Sequence, residues 1–212
     1  MPKGKLITLE GIDGTGKSSI AKMLKTRFTE ALFTREPTQS WIGRAVKKSI
    51  DADGDPLAEL FLFVADHAEH IAKVIRPALA EGKIVISDRY SDSRYAYQGA
   101  TLSDDFDDAV AWVQGLHRGW TVCPDLTILF TIDPAVAVMR CGVRGEKTKF
   151  EKLEFLKKVQ DNFLRLAREE PHRFVIIDAG AELEKVGHEA EMKIMDFLKK
   201  SLDSLKKQTI VL

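Results

Sequence analysis

Five short runs of nearly unbroken apolar residues, separated by longer amphipathic stretches, constrain this chain more tightly than any other feature of its sequence. The runs are Leu6-Ile7-Thr8-Leu9, Ala31-Leu32-Phe33-Thr34, Ile84-Val85-Ile86-Ser87, Leu126 to Ile132 and Phe174 to Ile177. Strands this short and this apolar are covered on both faces. Between them, 3.6-residue periodicity predicts helices of roughly ten to twenty residues starting near Lys17, Pro56, Asp104, Pro134, Phe150 and Glu182. The alternation predicts a three-layer α/β domain, a five-stranded parallel sheet with helices on both faces. The chain has 212 residues, 44% of them hydrophobic, enough for one such core but not comfortably for two. A single domain over residues 1–212 is therefore expected.

In sheets of this kind ligands bind beyond the carboxyl ends of the strands. The segments following Glu10, Thr34, Ser87 and Ile177 should accordingly converge on one rim. Lys plus Arg equals Asp plus Glu at 32 each, so no bulk charge draws the chain to nucleic acid or an anionic membrane. Any bound anion must be held by a local cluster of cations and backbone N–H groups. Cys123 and Cys141 show neither a pairing motif nor metal-ligand spacing and read as reduced thiols. The N-terminus lacks a signal-peptide pattern, and no apolar stretch reaches the roughly 18 residues of a membrane span. A cytoplasmic protein is expected.

The first strand runs into Gly11-Ile12-Asp13-Gly14-Thr15-Gly16-Lys17-Ser18, which satisfies every fixed position of G-x-x-x-x-G-K-[ST]. Glycines let such a loop turn so that successive N–H groups face phosphate oxygens, and the following helix adds its positive end. Lys17 then serves the β- and γ-phosphates, and the Ser18 hydroxyl is placed to ligate Mg²⁺. With the three-layer α/β arrangement above, the loop predicts a P-loop NTPase fold. The loop specifies a nucleotide but not a reaction. The Asn-Lys-x-Asp guanine reader of signalling GTPases is absent, since Asn162 is the chain's only asparagine.

Three further segments suit a second phosphorylated substrate. In Thr34-Arg35-Glu36-Pro37, Arg35 reads either as a phosphate clamp or as half of a surface ion pair. In Ser87-Asp88-Arg89-Tyr90, Asp88 sits where P-loop enzymes place a Mg²⁺-associated carboxylate, or else it caps a helix; Arg89 beside it suggests a phosphate partner. Ser93-Arg94-Tyr95-Ala96-Tyr97-Gln98-Gly99 suits a sugar or base pocket, and equally suits packing.

Taken in order, the loop with its internal aspartate, Arg-Glu-Pro, Asp-Arg-Tyr and Ala-Tyr-Gln-Gly resemble the thymidylate kinase family. The similarity extends through Phe61 to Asp66, Pro124-Asp125-Leu126 and Ile177-Asp178-Ala179. The resemblance implies a homodimeric kinase of dTTP synthesis that phosphorylates dTMP from ATP with Mg²⁺. Residues Gly11, Ile12, Asp13, Gly14, Thr15, Gly16, Lys17, Ser18 and Ser19 would cradle ATP, and Ser18 and Asp88 would serve the metal. Asp13 would lie near the transferring phosphate, Arg35 and Arg89 would hold the acceptor phosphate, and Phe63 would stack on thymine. Ser93, Tyr97 and Gln98 would line the acceptor pocket, with Tyr97 under the deoxyribose. Helices around Leu57 to Leu79 and Asp104 to His117 would form the dimer interface.

Arg140, Arg144, Lys147 and Lys149 cluster around Gly142 and Gly145, a composition suited to a short basic lid at about 141–150. The loop has Gly14 where some members carry arginine, which resembles the members whose transition-state arginine comes from the lid. Arg144 is then the expected catalytic arginine, and Arg140 would stack on adenine. Two positions depart from the family pattern. His67 stands where an arginine usually reaches the base edge, and Arg94 stands where a small polar residue is usual. Either Arg94 supplies the donor that His67 gives up, or Arg94 faces solvent and His67 is a weaker donor. A deoxynucleoside kinase would leave Arg35 and Arg89 without an anion, and a pure nucleotide binder would not need the lid cations.

Overall fold

The computed structural model describes residues 4–142 and 152–209. Five strands form one sheet: β1 (Lys5–Gly11), β2 (Leu32–Arg35), β3 (Ile84–Asp88), β4 (Leu126–Thr131) and β5 (Phe174–Asp178). Their order is β2-β3-β1-β4-β5, and every pairing is parallel. The chain leaves β1 toward β2 and leaves β4 toward β5. The crevice between β1 and β4 is thus where such sheets take ligands.

Around the sheet lie α1 (Lys17–Arg27), α2 (Trp41–Asp51), α3 (Pro56–His70), α4 (Arg76–Ala80), α5 (Ser91–Thr101), α6 (Ala109–His117), α7 (Pro134–Gly142), α8 (Leu153–Glu169) and α9 (Leu183–Thr209). Five of the six expected helix starts fall within about three residues of an observed start. The exception is α6, which starts at Ala109 rather than Asp104 because Asp108 caps it, accepting from the Ala111 N–H at 3.0 Å. A π-helical turn, Ile71–Ile75, joins α3 to α4. Pro77 lies just beyond it; proline lacks the N–H for an α-helical bond and crowds the preceding turn, which a π turn relieves.

Strand alternation sorts the core. Ile7 and Leu9 of β1 and Ile128 and Phe130 of β4 join the fully buried cluster that includes Ile20 and Leu24 of α1 and Val186, Ala190 and Ile194 of α9. The opposite face of β1 is partly polar. Thr8 and Thr127 share a 2.9 Å hydrogen bond, Thr127 donates to Asp92 of α5 at 3.1 Å, and Arg173 clasps Asp92 with two bonds of 2.7 and 2.8 Å. This clasp fixes α5 over β1 and β4, and α5 carries much of the site.

Candidate active site

At the carboxyl end of β1 the loop turns through Gly14 and Gly16 at φ +89° and +86°, a region L side chains rarely enter. A Cβ on Gly14 would also lie 2.5 Å from the Ala137 carbonyl oxygen. Gly16 is the N-cap of α1 and offers no side chain to its first turn, which leaves that positive end for an anion. Lys17 is buried, and its ammonium donates to the Ile12 carbonyl at 2.7 Å and to Thr15 Oγ1 at 3.2 Å. Burial, with Arg89 nearby, lowers its pKa to about 8. An incoming anion would favour the charged form further.

Asp13 and Arg89 form the centre of the rim. Arg89 donates to Asp13 Oδ1 at 2.6 Å, to the Tyr97 hydroxyl at 3.1 Å and to Ser93 Oγ at 3.0 Å. Tyr97 in turn donates to Asp13 Oδ2 at 3.1 Å and accepts from the Asp13 N–H at 3.0 Å. Burial alone would raise the Asp13 carboxyl, but Arg89 and then Lys17 outweigh it and hold it below its ordinary value. Arg89 itself has φ +70°, a strain of about 1–2 kcal/mol for a residue with a side chain.

Glu10, buried at the end of β1, holds the backbone that follows Arg89. It accepts from the Tyr90 N–H at 2.8 Å and is bonded to Ser93 Oγ at 2.5 Å. Burial, reinforced by Asp92, pushes its carboxyl up to about 8. Sequence reasoning took Glu10 only as a strand end. Its signal was a lone carboxylate closing an apolar run.

Two cavities meet at this centre. The first, about 250 Å³, is bounded by the loop from Asp13 to Ser19 and by Asp88. The second, about 290 Å³, is lined by Phe63, Ser93, Arg94, Tyr97 and Gln98. Asp13, Arg35 and Arg89 line both. Arg35 is exposed and has no ion-pair partner among the described residues. A third cavity, about 380 Å³, lies beyond the loop between Arg140 and the segment from Ala179 to Val186, and Arg140 donates to the Ala179 carbonyl at 3.0 Å. Arg144, Lys147 and Lys149 lie outside the described residues. Gly11 and Ile12 line none of these cavities; Ile12 is core, and Gly11 accepts from Arg89 at 3.3 Å.

Ser18 Oγ donates to Asp88 Oδ2 at 2.8 Å at the mouth of the loop cavity. These are hard oxygen donors. Among the described residues no cluster of three His, Cys, Asp or Glu could hold a metal by itself. Such a sparse oxygen set fits Mg²⁺, which keeps water and substrate phosphates as its other ligands.

His67 does not line the second cavity. Its Nδ1 bonds Glu36 at 2.9 and 3.0 Å, and its Nε2 bonds Thr121 at 2.7 Å. Arg94 lines the cavity instead, also bonded to Glu36, with its guanidinium 4.9 Å from the Phe63 ring centroid. The expectation that Arg94 could face solvent is corrected, since it is only 2% exposed. Glu36 also receives His70 Nδ1 at 2.6 Å. Sequence reasoning missed the roles of Glu36 and His70, because the three partners come from two helices distant in the chain.

A phosphate loop at the head of a β2-β3-β1-β4-β5 parallel sheet, opening onto two cavities with a shared cationic wall, defines a protein of the P-loop NTPase fold. The thymidylate kinase family model matches residues 9–190. The chain is 63% identical over 186 residues to a probable thymidylate kinase of Methanococcoides burtonii, covering 87% of this chain and 92% of that one. It is 60% identical over 203 residues to a probable thymidylate kinase of Methanosarcina acetivorans, covering 93% and 98%. The crystal structure of thymidylate kinase from Ehrlichia chaffeensis superposes with a TM-score of 0.72 at 29% identity, covering 92% and 100%. The chain belongs to the thymidylate kinase family.

Proposed function

We propose that the protein transfers the γ-phosphoryl group of ATP to dTMP, giving ADP and dTDP for dTTP synthesis. The observation that carries this reading is the wall of Asp13, Arg35 and Arg89 common to the loop cavity and the acceptor cavity. ATP phosphates bound on residues 11–19 and a dTMP phosphate held by Arg35 and Arg89 would meet at that wall. An oxygen of the acceptor phosphate attacks the γ-phosphorus while the bond to the β–γ bridging oxygen breaks. Alignment and charge neutralisation suffice, so no covalent enzyme intermediate forms. Lys17 and the loop N–H groups take up charge on the β- and γ-phosphates, and Asp13 keeps Arg89 aimed. Phe63 faces the base, Tyr97 the sugar, and Gln98 and Ser93 complete the pocket. Arg140 covers adenine, and Arg144, with Lys147 and Lys149, closes the lid over the transferring group. Ser18 and Asp88 would hold Mg²⁺, which would neutralise charge on the phosphates.

Chain-wide proposals accompany this one. Residues 1–212 form a single domain with a lid at about 141–150. The protein is cytoplasmic; no described helix is long and apolar enough to cross a membrane. It acts as a homodimer, which the exposed apolar side chains Trp41, Leu57 and Phe61 on α2 and α3 favour. It needs no nucleic-acid partner.

A coupled assay of ADP release from Mg-ATP, with dTMP, dUMP, dCMP, dGMP and thymidine offered separately, tests the reaction. Preference for dTMP is expected. Turnover of thymidine alone would remove the acceptor-phosphate clamp, and no turnover with any acceptor would leave a nucleotide-binding protein.

A further inference from the structure

Glu36 sits at the centre of a buried cluster that phosphoryl transfer itself does not explain. The residue is 1% exposed, and its carboxylate is approached by His67 and His70 from α3 and by Arg94 from α5. Burial alone would raise this carboxyl, but His67 and then Arg94 hold it well below its ordinary value. A carboxylate only accepts hydrogen bonds, so Nδ1 of both histidines carries a proton and donates. Their Nε2 atoms are engaged by Thr121 and Thr34, each at 2.7 Å. Both imidazoles are thereby used up in bracing Glu36. Neither presents a nitrogen to the acceptor cavity.

Arg94 is different. Glu36 is its only ion-pair partner among the described residues and engages Nη2, and the Phe63 ring flanks the guanidinium. Its Nε is buried without a partner. A buried N–H left unsatisfied is costly until something accepts from it. Arg94 lines the cavity that also contains Phe63 and Gln98.

We infer that Glu36 is a positioning residue that locks Arg94 into the acceptor cavity, and that Arg94 selects bases presenting a carbonyl at the edge it reaches. The inference rests on the proposed acceptor being a pyrimidine monophosphate. A guanidinium has donors and no acceptor. A 4-keto pyrimidine offers it an oxygen, whereas cytosine offers an amino group there and sets donor against donor. Arg94 therefore excludes cytosine by leaving buried polar groups unpaired, the stronger form of discrimination. It does not sense the 5-methyl group, so dTMP and dUMP pass it alike.

The test is the ratio of kcat/KM for dTMP over dCMP in wild type and in Arg94→Gln. Glutamine carries an acceptor as well as donors and can satisfy the cytosine amine. The expected result is a ratio lowered roughly ten- to hundredfold, as for exchange of one or two hydrogen-bond mismatches, with a raised KM for dTMP. Glu36→Gln, with one acceptor oxygen in place of two, is expected to lower the ratio in the same direction. The double variant should lose little beyond Arg94→Gln alone, because both act through one guanidinium. If Glu36→Gln does not fold, Arg94→Gln still decides. An unchanged ratio in Arg94→Gln, beside a wild type that phosphorylates dTMP, overturns the inference. A wild type that does not phosphorylate dTMP overturns the proposed reaction instead.

Discussion

Single side chains at the rim carry different duties, and substitution separates them. In the proposed reaction Lys17 contributes charge at the phosphates, so Lys17→Ala should lower kcat by roughly 10²–10³, the usual effect of removing one charge-stabilising donor. Its thermal midpoint should stay close to wild type, because its present partners are only a carbonyl and a hydroxyl. Glu10 acts on stability. Its folded pKa, about 8, lies above the ordinary carboxyl value of 4.5, so the native state keeps a proton that the unfolded chain releases. Its contribution is greatest below about pH 4.5 and is lost as pH rises to about 8. Glu10→Gln keeps an acceptor for the Tyr90 N–H and a donor for Ser93 without titrating. The variant's melting temperature should therefore fall less than wild type between pH 5.5 and 8.5; parallel curves would remove Glu10 as the titrating group. The phosphate loop was legible because its chemistry lies in consecutive residues. Glu10 and Glu36 were not, because each acquires its role only where separate elements converge.

At the scale of elements, α5 shows where sequence patterns end. Ten of its eleven residues are buried, from Ser91 to Ala100, so no polar face exists to give a 3.6-residue alternation. Its segment was read only for pocket residues or packing, and no helix was assigned to it. The five strands, by contrast, announced themselves as apolar runs, and the observed strands lie within about two residues of those runs. The helix α2 was not foreseen; its start is set by Ser40, which accepts from the Gly43 N–H at 3.0 Å. The clasp of Arg173 on Asp92 anchors α5 from below. Arg173→Met leaves Asp92 buried and unpaired, and removing one member of a buried pair costs about 3–5 kcal/mol. Chemical denaturation should report that loss. A change under about 1 kcal/mol would mean that packing alone holds the helix.

Across the whole molecule, strand order brings the phosphate loop, Arg35, Asp88 and Arg89 to one rim, with the cavity lined by Phe63 and Arg94 on the side of α3 and α5 and the Arg140 cavity beyond the loop. The exposed side chains Trp41, Leu57 and Phe61 line neither of the two central cavities. Sedimentation should find a dimer, and Phe61→Glu should shift it toward monomer; a wild type that sediments as a monomer at micromolar concentration would remove the dimer proposal. The parallel fold could be read from residue patterns, but subunit contacts could not, because an apolar surface side chain looks the same in sequence whether solvent or a partner covers it.

The most direct measurement follows the transferred group itself. ATP labelled at its γ-phosphate is incubated with Mg²⁺, dTMP and the protein, and the products are separated. The label should appear in the β-phosphate of dTDP, in a one-to-one ratio with ADP. Label released as inorganic phosphate, or dTMP recovered unchanged while ATP is consumed, would contradict transfer across the wall of Asp13, Arg35 and Arg89.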